Sequence, residues 1–224
     1  KAFTEGLLFH EGYLFESTGL LGRSELRKID IASGKIIHSR SVADMFFAEG
    51  LTLLNGELIQ LSWKLGQAYV YQLETLNLIR QFPYPGDGWG ITTLKNQLVI
   101  SDGTSIVKFL DSSNLQLTHQ LRVTDQGIDI NGLNELETVD GWLYANVWPS
   151  PCIVKINPEN GQVQGWLNLS LLNHATDNDW HTAMNGIAYD PKSMHLFITG
   201  KYWPSLYEIK LPLKTTHPTN ELSF

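Results

Sequence analysis

The sequence is poor in three features that mark common classes of protein. It has a single cysteine, Cys152, among 224 residues, so it can form no internal disulfide, and no cysteine–histidine group has zinc-site spacing. It has no apolar run of 18 residues, so we expect no transmembrane helix and no membrane insertion. Lysine and arginine number only 16 against 23 acidic residues, a formal net charge of -7, which argues against nucleic-acid binding.

A repeat of roughly 45 residues runs through the chain, which is the length of a four-stranded propeller blade. Five segments begin alike, and their first residues stand 44, 40, 45 and 51 positions apart. Alternating apolar and polar runs separated by polar turns predict strands within each unit. We predict that residues 1–224 form one all-β domain, a five-bladed β-propeller with four-stranded antiparallel blades. A β-sandwich would explain the strands but not the five-fold period. The segments are Glu5-Gly6-Leu7-Leu8, Glu49-Gly50-Leu51-Thr52, Trp89-Gly90-Ile91-Thr92, Asn134-Glu135-Leu136-Glu137 and Asn185-Gly186-Ile187-Ala188.

The fifth unit has three clear strands before the tail that starts at Leu213. Because a propeller hides its sheet edges by closing the ring, we predict that an upstream N-terminal strand completes the last blade, or that this blade is left short. Lys1 opens directly into a strand-like segment, so we expect an upstream segment that this chain lacks. The longest polar insertion, Asn173 to His181, is predicted to form a loop over the central opening, and Leu169–His174 could form one helical turn.

The residues that open each unit are predicted to converge on the propeller axis. Glu5, Glu49, Trp89, Asn134 and Asn185 occupy equivalent positions, and burying such polar groups is costly unless each has a partner. Two interpretations of Glu49 remain open, a functional acid or one half of a buried structural ion pair with the lysine at position 201.

Loops that follow the second strand of each unit are predicted to surround the same opening. They bring Trp63, Trp148 and Lys201 to it. Asp102, followed by glycine and threonine, is more typical of a turn cap than of a ligand. Among the seven histidines, only His181 lies in a pocket-like loop.

Seven motifs, taken in order, resemble the plant-type glutaminyl cyclases, a family known from plants and bacteria. The resemblance runs from residue 3 to about residue 211. It implies a five-bladed propeller that converts the N-terminal glutamine of peptides and proteins to pyroglutamate and releases ammonia. The motifs are Phe3-Thr4-Glu5-Gly6-Leu7, Phe15 to Ser24, Glu49 to Leu54, Asp87-Gly88-Trp89-Gly90, Ser101-Asp102-Gly103-Thr104, Leu133 to Glu137 and Thr199-Gly200-Lys201-Tyr202-Trp203-Pro204.

The resemblance also implies roles for individual residues. Glu49 is the implied acid/base, and Asn134 and Lys201 match polar positions of the active site. Glu5 stands where the family usually has glutamine. It could hold the substrate ammonium, raise the pKa of Glu49 by like-charge repulsion, or impair the site. The implied apolar and aromatic walls are Phe3, Phe47, Trp63, Trp89 and Trp148.

Acid/base chemistry of this kind needs no metal, so we expect no cofactor in catalysis, while a structural calcium in the channel remains open. The expected partners are peptides or proteins with N-terminal glutamine, the expected location is periplasmic or secreted, and we expect a monomer. Two other functions also remain open. One is a non-catalytic propeller that binds a peptide terminus. The other is a calcium-dependent propeller lactonase or esterase, whose ligands Glu49, Asn134 and Asn185 would imitate.

Overall fold

The computed structural model describes residues 1–172 and 181–211 of the chain. Its regular structure in these ranges consists of strands, numbered β1 to β21 in chain order, which form five larger sheets and one short hairpin. The described residues include no helix that is long and apolar enough to cross a membrane.

Four sheets contain four antiparallel strands each, in sequence order. The first contains β1 (Thr4–His10), β2 (Tyr13–Thr18), β3 (Glu25–Asp30) and β4 (Lys35–Ser41). The second contains β5 (Ala48–Leu54), β6 (Glu57–Ser62), β7 (Gln67–Gln72) and β8 (Leu78–Pro83). The third contains β9 (Ile91–Leu94), β10 (Gln97–Ser101), β11 (Ile106–Asp111) and β12 (Leu117–Arg122), and the hairpin of β13 (Thr124–Asp125) and β14 (Ile128–Asp129) follows it. The fourth contains β15 (Leu133–Val139), β16 (Trp142–Val147), β17 (Cys152–Ile156) and β18 (Val163–Asn168).

The fifth sheet has three strands within the described residues, β19 (Met184–Asp190), β20 (His195–Gly200) and β21 (Tyr207–Lys210). The predicted fourth strand of this blade stays a prediction, and the tail from Leu213 lies outside the described residues. The predicted loop from Asn173 lies outside them as well, except for its last residue, His181. The predicted turn at Leu169–His174 is described only as far as Leu172, whose N–H donates to the carbonyl of Leu169 at 2.9 Å.

The five sheets are the blades of a closed ring. The first strand of each blade is innermost and packs against the innermost strands of its two neighbours, in the order β1, β5, β9, β15 and β19, and β19 returns to β1. The prediction of a five-bladed β-propeller is confirmed. The residues that open each unit therefore do meet around one axis.

Apolar packing between neighbouring blades holds the ring together. The second strand of a blade is buried, as β2 is from Leu14 onward, whereas the outermost strand β4 is largely exposed. Five apolar clusters fill the spaces between blades, and Leu61 and Leu98, for example, share the cluster between the second and third. Each fully buried side chain of this kind contributes roughly 1.5–3 kcal/mol relative to exposure.

Irregular register at the start of the innermost strands brings the polar residues of the repeat to the axis. The pairing with the second strand skips between Thr4 and Gly6 and between Ala48 and Leu51, and equivalent breaks occur in β15 and β19. Such bulges re-aim side chains. They also bring blades close together, because a Cβ on Gly50 would lie 2.7 Å from the backbone nitrogen of Ile91.

Candidate active site

A cavity of about 480 Å³ opens at the axis of the propeller. All nine residues that the sequence assigned to the site line it, together with Leu20 and His181. A larger cleft of about 620 Å³ lies around Trp142 and Trp166 in the fourth blade and contains none of the candidate residues. The bulged starts of the innermost strands and the loops after the second strands thus supply one common site.

Aromatic rings form much of the cavity wall. The ring of Phe47 lies 6.2 Å from that of Phe3, edge to face, and 5.4 Å from that of Trp63. Trp89 and Trp148, from the third and fourth blades, meet edge to face at 5.8 Å. These rings make most of the cavity surface apolar, and Trp63 remains 37% exposed at the mouth.

The buried partner of Lys201 is Glu5 and not Glu49, so the structural ion pair that the sequence left open for Glu49 was assigned to the wrong carboxylate. The ammonium of Lys201 lies 2.8 Å from Oε1 of Glu5. The amide of Asn185 donates to Oε2 of Glu5, also at 2.8 Å. Lys201 also stands 4.5 Å from the centre of the Phe3 ring, within range of a cation–π contact.

Glu49 is buried, and its pKa is raised well above the usual range of a carboxyl group. Burial is the largest cause, the charge of Glu5 adds to it, Lys201 opposes it, and Asp87 raises it further. No hydrogen bond from any part of the chain that the structure describes acts on this carboxyl group. Glu49 is therefore placed to exchange a proton with a ligand in the cavity.

Two buried polar atoms in the cavity residues have no partner within the described structure. They are Nε1 of Trp89, a donor, and Oδ1 of Asn134, an acceptor. Leaving such an atom unpaired costs about 1–3 kcal/mol. A ligand that presents both an acceptor and an N–H group would satisfy them.

Sequence reasoning missed some of the residues that shape the site. Leu20 lines the cavity with an unusual φ of 89°. It lies in the loop after β2, which the sequence predicted to surround the opening, but it was not among the predicted site residues. Glu135 occupies the repeat position that is glycine in the other four blades, and its carboxylate accepts N–H groups of Leu7 and Ile187. The replacement of that glycine was the available signal.

Asp102 is a turn cap, as predicted. Its Oδ1 accepts the backbone N–H of Thr104 at 3.1 Å, and its other oxygen pairs with Lys108 at 2.8 Å. Within residues 1–172 and 181–211, no three His, Cys, Asp or Glu side chains are grouped as metal ligands.

Two relatives resemble the chain over most of its length. A glutaminyl-peptide cyclotransferase of Arabidopsis thaliana is 40% identical over 215 residues, which are 94% of this chain and 67% of the relative. The crystal structure of Myxococcus xanthus glutaminyl cyclase matches with a TM-score of 0.86 and 34% identity, over 93% of this chain and 90% of that one.

A more distant likeness concerns the fold alone. The WD40 domain of Pan2 from Neurospora crassa matches with a TM-score of 0.52 at 11% identity, over 88% of this chain and 58% of that one. A family model described as glutamine cyclotransferase matches residues 1–211. The chain therefore belongs to the glutamine cyclotransferase family.

Proposed function

We propose that this chain is a glutaminyl-peptide cyclotransferase, an acyltransferase that acts on the N-terminal glutamine of peptides and works by acid/base catalysis. The relatives from Arabidopsis and Myxococcus support the activity. The observation that supports the acid/base part is that Glu49, buried in an aromatic cavity, accepts no hydrogen bond from residues 1–172 and 181–211.

The reaction joins two ends of one residue. The α-amine nitrogen of the terminal glutamine attacks its own γ-carboxamide carbon, a C–N bond forms, and the bond to the carboxamide nitrogen breaks. The products are a pyroglutamyl peptide and ammonia, and no water is consumed. One proton must leave the attacking nitrogen, and one must reach the leaving nitrogen.

Glu49 is proposed to carry that proton between the two nitrogens. The substrate amine has an ordinary pKa of about 7.7–8.0. Because the pKa of Glu49 is raised well above the usual range of a carboxyl group, the proton transfer between them is less unfavourable than for an ordinary carboxylate. Because the amine and the carboxamide belong to one residue, the cavity has only to hold the glutamine in the conformation that brings its α-amine close to its γ-carboxamide carbon.

The unpaired atoms suit the two polar ends of this substrate. The Nε1–H of Trp89 is the free donor, and we propose that it stabilises the negative charge that grows on the carboxamide oxygen, where such a donor is worth about 2.7–4 kcal/mol. The free atom of Asn134 is an acceptor, so it suits an N–H of the substrate. Lys201 adds positive charge beside them.

The aromatic rings are proposed to hold the glutamine side chain. Phe3, Phe47, Trp63 and Trp148 present flat apolar surfaces to its methylene groups, and the mouth at Trp63 leaves the rest of the peptide outside. A site that encloses one residue fits substrates of varied length.

The test is ammonia release from a glutamine-initiated peptide by the purified protein. We expect ammonia and pyroglutamyl peptide in equal amounts, and none from the same peptide with an acetylated N-terminus. Binding of the free peptide without ammonia release would instead favour the non-catalytic propeller. Turnover restored by calcium or zinc after exhaustive chelation would contradict the proposal that no metal is needed.

A further inference from the structure

Glu5 is a buried acidic residue of the axial cavity, and the resemblance described above implies a glutamine at its position. The sequence left three roles open for it, as a ligand of the substrate ammonium, as a charge that acts on Glu49, or as an impairment. If the proposed function is correct, the contacts of Glu5 favour one of these three roles over the other two.

Both oxygens of Glu5 already have partners within the protein. Oε1 accepts from Lys201 and Oε2 from Asn185, each at 2.8 Å, and the side chain of Glu5 is 2% exposed. The loop at Gly19 covers it so closely that a Cβ there would lie 2.9 Å from Cγ of Glu5. An incoming ammonium would have to displace Lys201 to reach this carboxylate.

We propose that Glu5 is a positioning residue, which holds the ammonium of Lys201 in an ion pair and thereby keeps a proton on Glu49 before the substrate binds. Glu5 does not contact the substrate amine. The proposal rests on the proposed function, and it assigns Glu49 the part of an acid at the start of the reaction.

Charge balance explains how Glu5 acts on Glu49. Lys201 supplies one positive charge, and the carboxylate of Glu5 offsets it at hydrogen-bond distance. A glutamine at this position would leave that positive charge uncompensated beside Glu49 and would favour the ionised form. The charged groups that act on Glu49 are Glu5 from β1, Lys201 from the loop after β20 and Asp87 from the loop before β9. The charge of Glu49 in turn raises the pKa of the Tyr84 hydroxyl, and His181 also lines the cavity.

The order of proton transfers follows from a protonated Glu49. The neutral α-amine attacks the carboxamide carbon, and Glu49 donates its proton to the departing nitrogen as the C–N bond breaks. Glu49, now ionised, then takes the extra proton from the former amine nitrogen. The enzyme ends with the proton count with which it began, and ammonia leaves as a neutral molecule.

Glu5→Gln should shift the pH dependence of turnover in one direction. A negative charge near Glu49 raises its pKa, so Glu5→Gln removes a cause of that rise and leaves Lys201 to lower the pKa further. The profile of kcat/KM against pH has one limb set by the substrate amine and one set by Glu49. Only the limb of Glu49 should move, toward lower pH.

The first experiment compares these profiles for the wild type, Glu5→Gln and Glu16→Gln with one glutamine-initiated peptide. Glu16 is a matched control, since it is a buried glutamate of the same blade that pairs with Thr4 and Arg27 outside the cavity. We expect the limb of Glu49 to move down by about one pH unit in Glu5→Gln and to stay in place in Glu16→Gln. An unmoved limb with a many-fold higher KM would show that Glu5 binds the substrate amine, and would overturn the proposal.

A second experiment needs no turnover. Carbon-13 NMR of glutamate-labelled protein follows the titration of each carboxyl group, and the signal of Glu49 is the one missing from Glu49→Gln. We expect this signal to titrate at lower pH in Glu5→Gln than in the wild type. Equal titration of Glu49 in the two proteins would refute the role of Glu5, whether or not the protein releases ammonia. A lack of ammonia release would contradict only the proposed function.

Discussion

Two pairs of buried glutamates lie on the innermost strands, and different groups hold them. Glu5 and Glu49 form the cavity pair, in which, among the described residues, only Glu5 accepts hydrogen bonds from side chains. Glu135 and Glu137 form the interblade pair, whose oxygens accept backbone N–H groups of other blades. Oε2 of Glu135 accepts from Ile187 at 2.8 Å, and Glu137 accepts from Tyr189 at 3.0 Å.

The difference shows that burial and a raised pKa do not by themselves identify a catalytic acid. Burial raises the pKa of Glu135 well above its usual range and that of Glu137 to about 8. It also raises the pKa of Glu5 and, further, that of Glu49. The interblade pair, however, accepts hydrogen bonds from backbone donors and lines neither the axial cavity nor the cleft in the fourth blade. Glu49 lines the axial cavity and accepts no hydrogen bond from the described residues, so of these four glutamates it is the one placed to exchange a proton with a ligand.

The sharpest test of this comparison is Glu49→Gln, which should lower kcat for ammonia release by about 10²–10⁴-fold. The amide has the size of the carboxyl group but cannot carry the proton. Since no hydrogen bond of Glu49 is lost, we expect the thermal unfolding midpoint to stay close to that of the wild type. Turnover close to wild type in this variant would rule out Glu49 as the acid/base.

Nε1 of Trp89 is a donor with no partner among the described residues of the cavity. Trp89→Phe removes this N–H and should lower kcat by about 10²-fold. Steady-state kinetics would separate this loss from weaker binding, since a donor that acts on developing charge affects kcat more than KM. Trp63→Phe is the matched variant, because its ring lines the same cavity at the exposed mouth. It should raise KM more than it lowers kcat, and equal effects in the two variants would contradict the role of Trp89.

Local patterns in the sequence were enough to predict the blades and the residues at the axis. Strand alternation and polar turns depend on neighbouring residues, and the same holds for the cap at Asp102, whose partner Thr104 is two positions away. The five-fold period then placed Glu5 and Glu49 at equivalent positions, so the site location followed from the repeat.

Partners at the axis could not be predicted in the same way. Glu5 and Lys201 are 196 positions apart, and which carboxylate the lysine chooses depends on the bulges that aim each side chain. Glu135 reaches across the ring to Leu7, and its role was missed although it replaces the glycine of the repeat. These contacts depend on the ring closure, which a single unit does not reveal.

The interblade pair should matter for stability, so Glu135→Gln should lower the free energy of unfolding by about 1–3 kcal/mol. The amide nitrogen that replaces one oxygen cannot accept the N–H of Leu7 or of Ile187. Chemical denaturation would measure the loss, and Glu159→Gln, an exposed change in the same blade, should cost little. If Glu135→Gln unfolded like the wild type but lost turnover, the distinction between the two pairs would be wrong.

The last effect concerns only the pH dependence of stability, which Glu137 should shape. The pKa of Glu137 is about 8 in the folded chain, above the usual 4.5, so the folded state binds more protons between these values. The free energy of unfolding must therefore fall as pH rises through this window, by at most about 1.4 kcal/mol per pH unit from this group. Glu137→Gln keeps the oxygen that accepts from Tyr189 but has no proton to lose, so denaturation between pH 5 and 8 should show a flatter dependence than in the wild type. Parallel curves would mean that Glu137 is ionised in both states, and that its backbone bond outweighs the cost of its burial.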